Sequence, residues 1–152
     1  MDTTLYEKDF HAWAMRNAEL MRQGKSSEAD LGNIAEELEG MGKAQRSQME
    51  SRLTVLLAHL LKWQFQPERR GKSWRLTIKE QRGRIARLLE KNPSLRSQVD
   101  EVMADAYENA IFSAAQETDL EDEDFPSGCP YGFSDVMNPE FWPESASSSS
   151  QS

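Results

Sequence analysis

Residues 49–89 read MESRLTVLLAHLLKWQFQPERRGKSWRLTIKEQRGRIARLL. Two long amphipathic segments flank a short break running from Gln66-Pro67 to Gly71. In the first, Met49, Leu53, Leu56, Leu57 and Leu60 recur at three- and four-residue spacing, the period of one helical face. Val55, Leu61, Trp63 and Phe65 make its C-terminal half apolar nearly all round, the pattern of a helix at the centre of a bundle. Pro67 cannot continue it, because proline lacks the N–H and clashes with the preceding turn. In the second segment Trp74, Ile78, Gln81, Ile85, Leu88 and Leu89 mark an inner face, Arg75, Lys79, Arg82 and Arg87 much of the rest, and Ser73 is the expected cap. This pair reads as a helical hairpin onto which the other helices fold.

Working outward, Thr3 or Thr4 begins a first helix near 4–23, with Tyr6, Phe10, Trp13, Ala14 and Met21 on one face. Gly24 suits the left-handed position just past its end. Asp30 caps a second helix near 30–41, striped by Leu31, Ile34, Ala35, Leu38 and Met41. Gly40 and Gly42 each weaken a helix by about 1 kcal/mol relative to Ala, so a break is expected there, with a kinked continuation as the alternative. The central helix then covers 43–65 and the basic one 73–91. Asn92-Pro93 opens a helix near 93–117, proline being tolerated at a first helical position. That helix is lined by Leu95, Val99, Val102, Met103, Ala106, Ala110 and Ala114. From 118 to 143 the chain turns irregular. Asp119 and Glu121 to Asp124 are acidic, FPSGCPYGF is rich in turn residues, and Phe141 and Trp142 are placed to pin the segment back. Residues 144–152 are Ser-rich and expected to be disordered. The expectation is an all-α, single-domain bundle of about five helices with an irregular C-terminal tail.

At 152 residues with 38% apolar side chains, the chain is long enough to bury a core without staples. Its one cysteine, Cys129, excludes an internal disulfide and fits a reducing cytoplasm. The start lacks the basic and apolar regions of a signal peptide. No run approaches the roughly 18 apolar residues that span a bilayer, so the expectation is a soluble cytoplasmic protein with no membrane role. Net charge is −8, but unevenly placed. The segment from Lys62 to Arg96 carries eleven Lys and Arg against three acids, and is +8; the remainder is −16. That asymmetry calls for an anionic ligand or an acidic partner, within the chain or outside it.

Four pieces carry a family resemblance: LYEKDFHAW near the start, DLGNIAEELEGMG, SRLTVLLAHLLKWQFQPERRGKSWRLTIKEQR, and the closing FPSGCPYGF with FWP. Together, from about Leu5 to Pro143, they resemble the bacterial family catalogued as domain of unknown function number twenty-nine. The string from His59 to Arg82 is its most specific part. The resemblance implies an all-α fold and transfers no activity and no catalytic residue.

The remaining residue types limit the chemistry. Glu36, Glu37, Glu39 and His59 are metal-ligand types, but at 1.5 Å per residue Glu37 and His59 are separated by about 33 Å on one helix, or about 18 Å if the chain turns back near Gly42. No metal site and no cofactor is expected. His59, with Arg52 and Trp63, forms a candidate functional cluster; His59 is either a general base or pH-sensitive group or a structural histidine with one hydrogen-bond partner. Arg69, Arg70, Lys72, Arg75, Lys79 and Arg82 form a candidate surface for an anion or acidic partner. The acidic segment Glu117–Asp124 of the same chain, or of a neighbouring copy, is one candidate to cover it. The leading expectation is a non-enzymatic protein acting through protein–protein contact or self-association. The alternatives are nucleic-acid binding through the basic helix Lys72–Lys91, whose affinity would fall steeply with salt, and an enzyme or ligand-binding protein with a small-molecule or metal pocket near His59.

Overall fold

The computed structural model describes residues 3–145. They form six α-helices: α1 (Thr3–Lys8), α2 (Phe10–Arg22), α3 (Leu31–Phe65), α4 (Lys72–Lys91), α5 (Val99–Gln116) and α6 (Phe133–Met137). Short 3-10 turns join several of them, and among the described residues there is no strand. Where one domain was expected over 1–143, contacts gather in two compact units, Met1–Ala44 and Gln45–Ser152, with α3 contributing to both. All but the first two residues of the Ser-rich stretch 144–152 lie outside the described residues.

Three helix boundaries differ from the periodicity reading. The single helix expected near 4–23 divides at Asp9, whose carboxylate accepts the Ala12 N–H at 3.0 Å and so caps α2. The break expected at Gly40–Gly42 is absent: α3 runs unbroken for 35 residues. Two glycines lower propensity by about 1 kcal/mol each, which is less than the cost of nucleating a new helix beyond them. Ser73 does not cap α4. The helix starts at Lys72 with Gly71 at the cap position and no side-chain cap bond. At Gly24 the expectation holds. Its φ of 76° is left-handed, and paired bonds from Lys25 N–H to the Leu20 carbonyl and from Gly24 N–H to the Met21 carbonyl close α2.

The first unit is held by polar contacts around one buried indole. Trp13 Nε1 donates to Asp30 Oδ2 at 3.0 Å, and Asn33 donates to the same oxygen at 2.8 Å. The Asp30 N–H in turn donates to Asn17 Oδ1 at 2.7 Å. The hydrogen bond from Asn33, then that from Trp13, hold the Asp30 carboxyl below its ordinary range. Tyr6 donates to the Glu37 carboxylate, and Tyr6, Phe10 and Trp13 cluster as rings. The apolar faces read from α2 and the start of α3 are nonetheless largely uncovered: Phe10, Met21, Leu31, Leu38 and Met41 are all exposed, as is Met15 outside them.

The second unit contains the apolar core. Met49, Leu53, Leu56, Leu57, Leu60 and Leu61 of α3 are fully buried, together with Ile78 and Ile85 of α4 and Val102, Ala106, Ala110 and Ala114 of α5. Alanines at four-residue spacing on α5 present little side chain, which lets neighbouring elements pack close to that face. Phe125, Tyr131 and Val136, from the irregular segment after α5, complete the cluster. Replacing Leu57 with Asp puts an unpaired charge at a site with no exposure; the expected outcome is loss of the cooperative thermal transition followed by circular dichroism, and a melt like that of the parent would contradict this core.

Candidate functional site

The basic block of the sequence separates into two populations. Lys62, Arg70 and Arg82 turn inward. Lys62 is buried, pairs with the Glu117 carboxylate, and its ammonium lies 5.1 Å from the centre of the Trp74 ring. Arg70 Nε donates to the Trp63 carbonyl at 2.7 Å, its Nη2 to the Pro143 carbonyl at 3.3 Å, and its guanidinium lies over the Trp63 ring. Arg82, only 6% exposed, donates from Nε to the Val136 carbonyl at 2.7 Å and from Nη2 to the Phe141 carbonyl at 2.8 Å, with its guanidinium 5.3 Å from the Trp142 ring. Burial lowers the Arg82 pKa from its ordinary value.

Sequence reading marked Arg69, Arg70, Lys72, Arg75, Lys79 and Arg82 as one anion-facing set, and the structure places them in three settings. Arg70 and Arg82 bind backbone carbonyls of the C-terminal segment. Arg69 is exposed and reaches the Glu117 carbonyl at 3.5 Å. Lys72, Arg75 and Lys79 are exposed, and among the described residues none of them has an ion-pair partner. Among the described residues, the hydrogen bonds and ion pair between the acidic and basic segments are made by Glu117, to Lys62 and Arg69. Asp122–Asp124 instead forms its own turn, closed by a capping box between Glu121 and Asp124.

Trp142 and Phe141 do pin the tail: Trp142 packs on Trp63 with ring centres 4.7 Å apart, and Phe141 on Tyr131 at 5.7 Å. The Tyr131 hydroxyl donates to Gln64 Oε1 at 2.6 Å. Between α4 and this segment lies a groove of about 670 Å³, within the range of small-ligand clefts. Its walls are Leu76, Ala86, Met137, Pro139 and Trp142, and Arg75, Lys79 and Arg82 also line it. Periodicity could not locate it, because the wall facing α4 comes from Met137 at the end of α6 and from Pro139 and Trp142 in the irregular chain beyond it.

The other candidate residues are dispersed among separate partners. Arg52 Nη1 lies 3.4 Å from Gln81 Oε1. His59 is half-buried and its Nδ1 lies 2.8 Å from the Val55 carbonyl one turn back, while Trp63 engages Arg70 and Trp142. Burial lowers the His59 pKa, with nearby Lys62 adding to the shift and the Val55 carbonyl and Glu117 opposing it. A second cavity, of about 340 Å³, lies beside Tyr107, Cys129 and Tyr131. Burial raises the Cys129 thiol above its ordinary value and pushes Tyr107 up to about 12, so neither side chain is primed as a nucleophile or base. Among the described residues no three His, Cys, Asp or Glu side chains converge as a metal site would require.

Two outcomes are expected. Arg82→Met removes two charged hydrogen bonds to carbonyls and should lower stability by about 1.5–3 kcal/mol, with faster protease cleavage after residue 125 and a shift in Trp142 emission. Because its folded pKa lies below the ordinary 6.5, His59 opposes folding once protonated. Stability should fall as pH drops below about 6.5, and His59→Gln should flatten that slope in denaturant titrations at a series of pH values.

No helix among the described residues is long and apolar enough to cross a membrane. No curated protein and no solved structure matches the chain. Residues 5–142 match the model of a family described as Domain of unknown function DUF29, and with nearly its whole length matched the chain belongs to that family, whose description assigns no function.

Proposed function

We propose that the protein acts without catalysis, by docking a helical polypeptide against the apolar stripe on its N-terminal unit. The observation that carries this reading is the start of α3. Leu31, Ile34, Leu38 and Met41 follow three-four-three spacing, the seam of a coiled coil. Leu31, Leu38 and Met41 are 49%, 63% and 64% exposed. Ala35 and Gly42 beside the stripe are small, so a second helix can approach closely. Glu37 flanks it, with Glu39 and Glu36 toward the opposite face, so the surface around the stripe is acidic and favours a cationic partner. The polar groups of the second unit support the same reading, since His59, Lys62, Arg70, Arg82 and Tyr131 are each engaged in holding the fold. The setting we propose is the cytoplasm, where a single half-buried thiol stays reduced.

One observation favours a second reading, nucleic-acid binding. Lys72, Arg75 and Lys79 on α4 face water without an ion-pair partner among the described residues. Three phosphate contacts would give an affinity that falls steeply with salt. A gel shift at low salt that disappears as salt is raised supports it, and no shift at low salt removes it.

The leading reading is tested with Leu38→Glu/Met41→Glu. Both positions are exposed, so the melting temperature should stay within a few degrees of the parent. Binding of a cationic amphipathic helical peptide, followed by sedimentation velocity, should weaken by about tenfold or more, the effect of desolvating two charges in an apolar seam. Unchanged peptide binding in the double variant, or none in the parent, overturns it.

A further inference from the structure

The groove between α4 and the C-terminal segment has a complementary surface on the same unit. Phe112 of α5 is 60% exposed, an aromatic ring standing in water. Glu108, Asp122 and Glu123 line the hollow of about 320 Å³ beside it. Crowding by Asp122, through a hydrogen bond and by charge, raises the Glu123 carboxyl above its ordinary range, so this surface gains from a cationic neighbour. An aromatic knob among acids matches an apolar groove bordered by cations.

The spacing matches as well. On α5 the exposed positions Asp105, Glu108 and Phe112 follow one face; on α4 Arg75, Lys79 and Gly83 do the same. Glu108 precedes Phe112 by about 6 Å of helix rise, and Lys79 precedes Gly83 by the same amount. Gly83 lines the groove and has no side chain of its own; the flexible Arg87 guanidinium, 3.7 Å from where its Cβ would sit, borders the place of an entering ring. With the two helices parallel and Phe112 over Gly83, Glu108 comes opposite Lys79 and Asp105 opposite Arg75. Both surfaces lie within the second unit, so the match does not depend on the N-terminal stripe.

We infer that the groove is a docking site for a second copy of this chain, with Phe112 of one copy seated between α4 and Trp142 of the next and Asp105 and Glu108 paired with Arg75 and Lys79. Knob and groove are different surfaces, so the contact is head-to-tail and generates a ring or an open chain of subunits. Opposite charges at the border set the register and the wrong orientation brings like charges together.

The experiment is a charge swap, made in the Leu38→Glu/Met41→Glu background so that failure here and failure of the N-terminal stripe are separable. The background protein should self-associate in sedimentation velocity, more weakly at high salt. Arg75→Glu/Lys79→Glu and, separately, Asp105→Lys/Glu108→Lys should each weaken that association by about tenfold or more. Mixing the two variants restores opposite charges across the contact and should recover it. Phe112→Ser, at an exposed site, should abolish association while leaving the melting temperature unchanged. If the background variant folds poorly, the same swap and mixing in the parent chain gives the same readout. A monomeric background protein, or a mixture that does not recover association, overturns the inference. So does saturable quenching of Trp142 emission by laurate in a protein that remains monomeric, which would assign the groove to a small anionic amphiphile, or a salt-sensitive shift of short RNA lost with Arg75→Glu/Lys79→Glu alone.

Discussion

A guanidinium shielded from water must keep its hydrogen bonds or cost several kcal/mol, since arginine does not give up its proton. Arg82 is in that position, and the second unit is arranged around satisfying it. Its two donors reach the carbonyls of Val136 and Phe141, one at the end region of α6 and one just beyond. Those carbonyls lie near a helix end, where orphan acceptors collect. One side chain therefore fixes the path of a segment that has almost no regular structure of its own. Arg70 repeats the device at Pro143. Trp142 fits between these two contacts, with Trp63 and the Arg82 guanidinium against it. A hydrophobic anchor alone would tolerate sliding; directional bonds to particular carbonyls do not.

The same constraint explains the charge asymmetry. A +8 segment in a −8 protein looks like a surface waiting for an anion. Three of its cations, Lys62, Arg70 and Arg82, instead answer carbonyl dipoles and indole faces; of these three Lys62 alone also has a carboxylate, that of Glu117, while Arg84 pairs with Glu80 on the helix surface. Cations over Trp63, Trp74 and Trp142 each contribute about 0.5–2 kcal/mol. The free charge on α4 is therefore smaller than the count of basic residues implies: Lys72, Arg75, Lys79, Arg87 and Lys91 are exposed without an ion-pair partner among the described residues, and Arg84 pairs with Glu80. Phosphate binding scales with the number of cations that can reach the backbone, so this redistribution weakens the nucleic-acid reading more than it weakens an acidic protein contact.

How much of this could be read from residues alone depends on whether a local or a distant partner decided the outcome. Pro67 ends α3 and Gly24 ends α2 for local steric reasons, and both were readable. So were the buried faces of α3 and α5, where burial follows a simple period. Gly40 and Gly42 misled, because two modest propensity penalties do not outweigh helix propagation on either side. Asp9 was missed because the apolar spacing of α1 and α2 runs through it, and only its carboxylate-to-amide bond marks the boundary. Arg82 was misplaced on the outer face because its partners are carbonyls some 54 and 59 residues away, which no periodicity records. The groove was hidden for the same reason.

The two units bury their apolar residues unequally, and this bears most directly on what the chain is built to do. The second unit has a closed core of leucines, isoleucines and alanines. The first has one well-buried aromatic, Trp13, held by hydrogen bonds from its indole to Asp30. Phe10, Met15 and Met21 on α2 and Leu31, Leu38 and Met41 at the start of α3 stay exposed. Burying a Leu or Met side chain is worth about 1.5–3 kcal/mol relative to leaving it exposed, so a stripe of them left open forgoes stability that a small unit can ill spare. Glu37 beside it, and Glu36 and Glu39 further round the helix, disfavour partners of like charge. A sequence under pressure only to fold would place polar residues at Leu38 and Met41. Coiled-coil spacing kept at exposed positions is the feature on which the proposed docking of another helix rests.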